Sequence, residues 1–131
     1  MKERANAVLH LLSALYSGVF AGFAVFVAPL PWVSRMQVRV PLAVGIAAMI
    51  LDASAAIMQW RKPPSGYILS IALHGLFAEA VVTAMGFEYM QSAAHSFVSW
   101  FISNNYGFVA VLAVVRVVAA VSLLPATERR A

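Results

Sequence analysis

Four long apolar segments dominate this chain of 131 residues. We place them at 7–28, 40–60, 66–87 and 106–124, and each is close to the roughly 20 residues that cross the hydrocarbon core of a bilayer. Hydrophobic residues make up 63% of the chain and charged residues 11%, whereas a soluble domain usually carries about a quarter charged residues. The sequence therefore predicts an all-α integral membrane protein, an antiparallel four-helix bundle that forms one transmembrane domain over 1–131.

The first segment has a second interpretation, as a secretory signal, because Lys2 and Arg4 precede its apolar run. The run is longer than the apolar part of a typical signal, and Pro29 and Pro31 make a poor cleavage site. We therefore favour a membrane span.

The basic residues lie at the ends of the apolar segments, which is typical of membrane proteins and not of nucleic-acid binding. If the amino terminus is inside, the outer side carries only Arg35 and Arg39. The inner side then carries a larger set: Lys2, Arg4, Arg61, Lys62, Arg129 and Arg130. The positive-inside rule predicts that both termini are cytoplasmic. We expect the membrane to be a bacterial or archaeal cell membrane.

The connection between the third and fourth segments predicts an amphipathic helix over about 88–103, since its polar residues recur at helical spacing. Glu88, Gln91, His95 and Ser99 belong to this polar face. The segment has no Lys or Arg, so we expect it to lie in the outer interface of the membrane.

Four ionisable residues fall inside the apolar segments: Asp52, Glu79, Arg116 and His74. Such residues usually face the interior of a bundle and pair with one another. Helical rise puts Asp52, His74 and Arg116 at similar depth, with Glu79 about 7 Å further out. Because helical side chains lean toward their own amino terminus, we expect Arg116 to reach both carboxylates.

Two carboxylates and one guanidinium leave one negative charge in this predicted cluster. We expect that charge to be removed by protonation of one carboxyl, by a charged His74 or by a bound cation. The same buried charges have a purely structural interpretation, because they also fix helix register or dock subunits.

A second set of polar residues lies on the first segment: His10, Ser13, Tyr16 and Ser17. Ser13, Ser17 and Ala21 also repeat every four residues, which favours close helix packing. We expect His10 to be solvated near the cytoplasmic surface, about 7 Å from the depth of His74, so that a shared metal or haem site is not favoured. The chain has no cysteine and thus no thiolate ligand, and we predict no metal site and no catalytic residue, while the cofactor stays open.

The stretch SGVFAGFAVFVAP at 17–29 resembles the first helix of several families of small four-span membrane proteins, among them the anthrone-oxygenase-like group. The resemblance covers one helix and implies no site residue in this chain.

These patterns lead to three functional hypotheses. The first is a small proton- or cation-coupled transporter or conduit, expected to act as a homo-oligomer in the lipid bilayer. The second is an accessory or assembly subunit of a larger membrane complex. The third is a membrane-embedded enzyme that acts on a lipophilic substrate, with His74 and Glu79 as acid and base. It has the least support, because these two residues do not have a catalytic spacing.

Overall fold

The computed structural model describes residues 2–31, 35–90 and 105–130. They form four α-helices and no strand: α1 (Lys2–Val27), α2 (Arg35–Arg61), α3 (Pro64–Met90) and α4 (Tyr106–Arg130). Each helix contains a stretch long and apolar enough to cross a membrane. The prediction of an all-α protein with four membrane-spanning helices is therefore confirmed.

Three of the helices extend well beyond the predicted bounds. α1 begins at Lys2, α2 begins at Arg35 and continues through Pro41, and α4 continues through Pro125 to Arg130. Each of these prolines lies next to a predicted segment bound, at 40 and at 124, yet neither ends its helix. A proline removes one backbone hydrogen bond, and membrane helices accommodate this without ending.

The predicted interfacial helix over about 88–103 lies mostly outside the described residues. α3 continues to Met90, so 88–90 belong to α3, and 91–104 are not described.

The four helices pack as two pairs. α1 packs most extensively against α2, α3 packs against α4, and α2 makes a smaller contact with α3. α1 and α2 approach closely at Gly45, where an added Cβ would lie 2.9 Å from the Ala21 Cβ and 3.1 Å from the Ser17 carbonyl oxygen. The small residues of α1 therefore allow the two backbones to meet.

The interior of the bundle is made of small and polar residues, and its surface is strongly apolar. Ala24 and Ala55 are fully buried, whereas Leu15 and Val111 are about two-thirds exposed. Without a hydrophobic driving force between helices in lipid, close packing and interhelical hydrogen bonds must hold such a bundle together.

The connection between α2 and α3 consists of Lys62 and Pro63 alone. Lys62 adopts a left-handed conformation with φ of 60°, and its N–H donates to the Met58 carbonyl at 2.8 Å. This geometry ends α2 and returns the chain at once into α3, so the two helices are antiparallel neighbours.

Replacing Gly45 with valine should separate α1 from α2, because the new side chain would collide with the Ser17 backbone. We expect the free energy of unfolding to fall by about 1–3 kcal/mol, the usual cost of overpacking. Gly22→Val is the matched control, since nothing lies within 4 Å of its Cβ position. Equal thermal stability of the two variants in detergent would contradict this packing.

Candidate functional site

The polar interior of the bundle is concentrated in one cluster to which all four helices contribute. We call it the polar ring, and its members are Asn6 and His10 of α1, Asp52 of α2, Ser70 and His74 of α3, and Arg116 of α4. Each of the six is at least 96% buried.

The centre of the polar ring is a bidentate ion pair between α4 and α2. Arg116 Nη2 donates to Asp52 Oδ1 at 2.8 Å, and Arg116 Nη1 donates to Asp52 Oδ2 at 3.2 Å. His10 Nδ1 lies 2.6 Å from Asp52 Oδ1. Both carboxylate oxygens of Asp52 are thus occupied, and the bidentate geometry is the strongest that an arginine and a carboxylate form.

The remaining contacts of the polar ring connect α1 with α3. His10 Nε2 lies 2.5 Å from Ser70 Oγ, and Asn6 Nδ2 donates to Ser70 Oγ at 2.5 Å. His74 Nε2 lies 2.7 Å from Asn6 Oδ1. Ser70 Oγ is also 3.5 Å from His74 Nε2.

The guanidinium determines the tautomer of His74. Arg116 Nε donates to His74 Nδ1 at 2.9 Å. Arginine stays protonated and has no acceptor, so His74 Nδ1 must be the acceptor. His74 is therefore neutral with its proton on Nε2, and it donates that proton to Asn6 Oδ1.

The direction of donation then follows around the rest of the polar ring. The Asn6 amide donates to Ser70, so the Ser70 hydroxyl proton is free to point at His10 Nε2. The Asp52 carboxylate only accepts, so His10 carries a proton on Nδ1 and donates it to Asp52. The circuit therefore has one consistent direction of donation. It starts at Arg116 and ends at Asp52, and each donor along it faces an acceptor.

The two imidazoles are stacked on one another across the α1–α3 contact. Their ring centroids are 4.4 Å apart and their planes differ by 8°. The Arg116 guanidinium lies 4.6 Å from the ring centroid of Phe77, which covers the cluster on that side. Asp52 and Arg116 balance, so the polar ring carries no net charge when His10, like His74, is neutral.

Glu79 does not join this cluster, so the expected pairing of Arg116 with two carboxylates is wrong. Its side chain is exposed on the outer surface of α3. Five residues separate it from His74, which turns the two side chains about 140° apart on the helix. Because His74 faces the interior, Glu79 faces outward, and the predicted surplus negative charge does not arise.

His10 is fully buried within the polar ring, so the expectation that it is solvated is wrong. The reason is the start of α1, which begins five residues earlier than predicted. His10 is eight residues into the helix, about 12 Å along its axis. That distance brings it level with His74.

The other predicted polar residues of α1 have packing roles in the structure. Ser13 Oγ donates to the Leu9 carbonyl of its own helix at 2.9 Å, and the Ser17 backbone faces Gly45. The Tyr16 ring is 5.4 Å from the ring of Phe108 on α4.

Sequence reasoning missed Asn6 and Ser70. A signal for both was present, because each precedes a histidine by four residues and so shares its helix face.

A second polar layer lies below the polar ring, toward the end of the bundle with the α2–α3 connection. Tyr67 is buried and its hydroxyl donates to Glu3 Oε1 at 2.9 Å. Gln59 is 1% exposed, and within the described part of the chain neither atom of its side-chain amide has a hydrogen-bond partner.

Comparison with models of known protein families, with curated proteins and with solved structures finds no match to this chain. The polar ring must therefore be interpreted from its own chemistry.

Arg116→Met should be strongly destabilising, because it leaves the Asp52 carboxylate buried without a counter-charge. We expect the free energy of unfolding in detergent to fall by about 3–5 kcal/mol. Combining it with Asp52→Asn should recover part of this loss, since the uncompensated charge is then gone. Glu79→Gln, on the exposed face of the same bundle, serves as a control and should change stability little. Additive effects of the Asp52 and Arg116 substitutions would contradict the ion pair.

Proposed function

We propose that this protein is a small proton-coupled transporter or proton conduit in which the polar ring binds the proton. The observation that supports this most directly is the closed hydrogen-bond circuit through two fully buried histidines. Polar networks of this kind inside membrane helices are costly and commonly mark proton relays.

The chemistry of the polar ring favours a proton over a metal cation. Both oxygens of Asp52 are already engaged by Arg116 and His10, so no free carboxylate is offered to a cation. Among the described residues, no group of three or more His, Asp or Glu side chains is arranged to hold a metal ion. Of the proton and the metal cation, the proton is therefore the better supported ion.

His10 is the member of the polar ring best placed to accept the proton. His74 already receives a hydrogen bond from Arg116 on one nitrogen and carries a proton on the other. At His10 the incoming proton binds Nε2 once the Ser70 hydroxyl turns away. The resulting imidazolium donates to Asp52 through Nδ1 and to Ser70 through Nε2, so proton uptake reverses the hydrogen bond between α1 and α3.

We propose the membrane orientation that the distribution of basic residues favours. Antiparallel topology puts the start of α1, the α2–α3 connection and the end of α4 on the same side. Arg61 at the end of α2 and Lys62 of that connection then lie in the cytoplasm, as the positive-inside rule requires. On this basis both ends of the chain are cytoplasmic, in a bacterial or archaeal cell membrane.

Purified protein in liposomes should carry protons when a potassium gradient and valinomycin impose a membrane potential. We expect a pH-sensitive dye inside the vesicles to report flux that falls at least tenfold in Ser70→Ala, which breaks the circuit and leaves the ion pair. Ser54→Ala is the matched control, because the Ser54 hydroxyl donates within its own helix, to the Ile50 carbonyl.

The proposal also requires that the purified protein take up one proton through His10 when the pH is lowered. Two results together would contradict a proton-binding role. One is that vesicles containing the protein conduct protons no better than empty liposomes. The other is that the native chain and His10→Gln take up equal numbers of protons.

Glu79 favours a second candidate function, that of a subunit in a larger membrane assembly. Its carboxyl group lies on an apolar face of α3 with the exposed side chains of Leu76 and Val82. A charged side chain near the middle of a span costs about 2.5–3.5 kcal/mol when it faces lipid, so such groups are normally covered by protein. A neighbouring membrane protein with a hydrogen-bond donor at this depth, or a second copy of the chain, would remove that cost.

Extraction of the tagged chain in a mild detergent separates these possibilities. A subunit should retain a stoichiometric foreign protein that dissociates in Glu79→Leu, whereas Leu15→Ala on α1 should retain it. Recovery of the chain alone, or of copies of itself only, would contradict the subunit function and leave the transporter as a monomer or homo-oligomer.

A further inference from the structure

Three residue pairs of the polar ring have the same separation in sequence, 64 residues. Asn6 and Ser70 are 64 residues apart, as are Asp52 and Arg116. In the polar layer below, Glu3 and Tyr67 have the same separation. The stacked imidazoles of residues 10 and 74 make a fourth pair at this spacing, since 74 − 10 = 64.

Four further contacts of the polar ring form two matched couples. His10 bonds Asp52 across 42 residues within the first helix pair, and His74 bonds Arg116 across 42 residues within the second. Adding 64 to each residue of the first contact gives the second contact. The bond from His10 to Ser70 has its counterpart in the bond from His74 to Asn6.

The same shift of 64 residues aligns the two helix pairs along their sequences without any insertion. On this alignment α1 and α3 share identical residues, including Leu9/Leu73, His10/His74, Leu12/Leu76 and Ala14/Ala78. α2 and α4 share Ala55/Ala119 and Ala56/Ala120. The helices that pack most closely, α1 with α2 and α3 with α4, are the two helices within each repeat.

We infer that the chain is a duplicated helical hairpin whose halves meet about a pseudo-two-fold axis at the polar ring, and that Asp52 and Arg116 alone decide which histidine carries which tautomer. Internal repeats related by an axis along the membrane normal are known among transporters, with the functional site between the halves. In this chain the axis passes between the stacked imidazoles and through the ion pair.

The direction of the hydrogen-bond circuit is set at one pair of equivalent positions, 52 and 116. The serine hydroxyl and the asparagine amide each contain both a donor and an acceptor, so they fit a circuit that runs in either direction. Arginine only donates and carboxylate only accepts. Arginine on α4 and aspartate on α2 therefore set the direction, with the Nδ1 proton on His10 and the Nε2 proton on His74.

Exchanging the two charges should regenerate a closed circuit that runs in the opposite direction, because Asn6 and Ser70 fit either direction. In the double variant Asp52→Arg/Arg116→Asp, the arginine at 52 donates to His10 and the aspartate at 116 accepts from His74. Each single substitution places two like charges in contact and should prevent stable folding. The double variant should fold, with both tautomers exchanged.

Nitrogen NMR of ¹⁵N-histidine-labelled protein tests this directly, because protonated and unprotonated ring nitrogens resonate far apart. Assignment uses His10→Gln and His74→Gln in each background. In the native chain we expect His10 to be protonated on Nδ1 and His74 on Nε2. In the exchanged chain we expect the reverse assignment.

Two results would overturn the inference. One is a double variant no more stable than the single variants, since equivalent positions must tolerate exchange of their side chains. The other is a folded double variant in which His10 keeps its Nδ1 proton, which would mean that the surrounding helices, and not the ion pair, set the tautomers. Neither result depends on whether the protein moves protons.

Discussion

A guanidinium inside a membrane bundle requires a counter-charge, and the bidentate pair of Arg116 with Asp52 meets that requirement. The pair leaves the Arg116 Nε proton directed at His74 and leaves Asp52 Oδ1 shared with His10. Both imidazoles are thereby oriented, and Asn6 and Ser70 close the circuit between them. Because the four helices expose mostly apolar side chains to lipid, this circuit is the main polar connection between the two helix pairs.

The proposed proton chemistry and the internal repeat explain different properties of the same cluster. The repeat explains why two histidines of equivalent position face each other across a pseudo-two-fold axis. The ion pair explains why only His10 retains a nitrogen at which a further proton can bind. Proton uptake there changes a hydrogen bond that crosses from α1 to α3, which is the boundary between the repeats. A transporter that couples proton binding to movement needs such a link between the bound proton and the contact of its halves.

The helices could be predicted from the sequence because span length and apolar composition are properties of single segments. The mutual position of Asp52, His74 and Arg116 was expected from helical rise alone. The depth of His10 was not, because it depends on where α1 begins, and a helix can extend past its apolar stretch. The orientation of Glu79 also depends on which face of α3 is buried, and α3 is apolar almost all round. Asn6 and Ser70 escaped notice because their hydrogen bonds join separate helices.

The two-residue connection at Lys62 and Pro63 has an evolutionary meaning. Two separate copies of one hairpin would meet with identical side chains at the axis, giving two carboxylates or two guanidiniums in contact. Opposite charges at that point require two genes that diverge or one fused gene whose halves diverge. The two-residue connection holds both halves in one chain. It excludes pairing between like halves, and the acidic and basic hairpins are made in equal amounts.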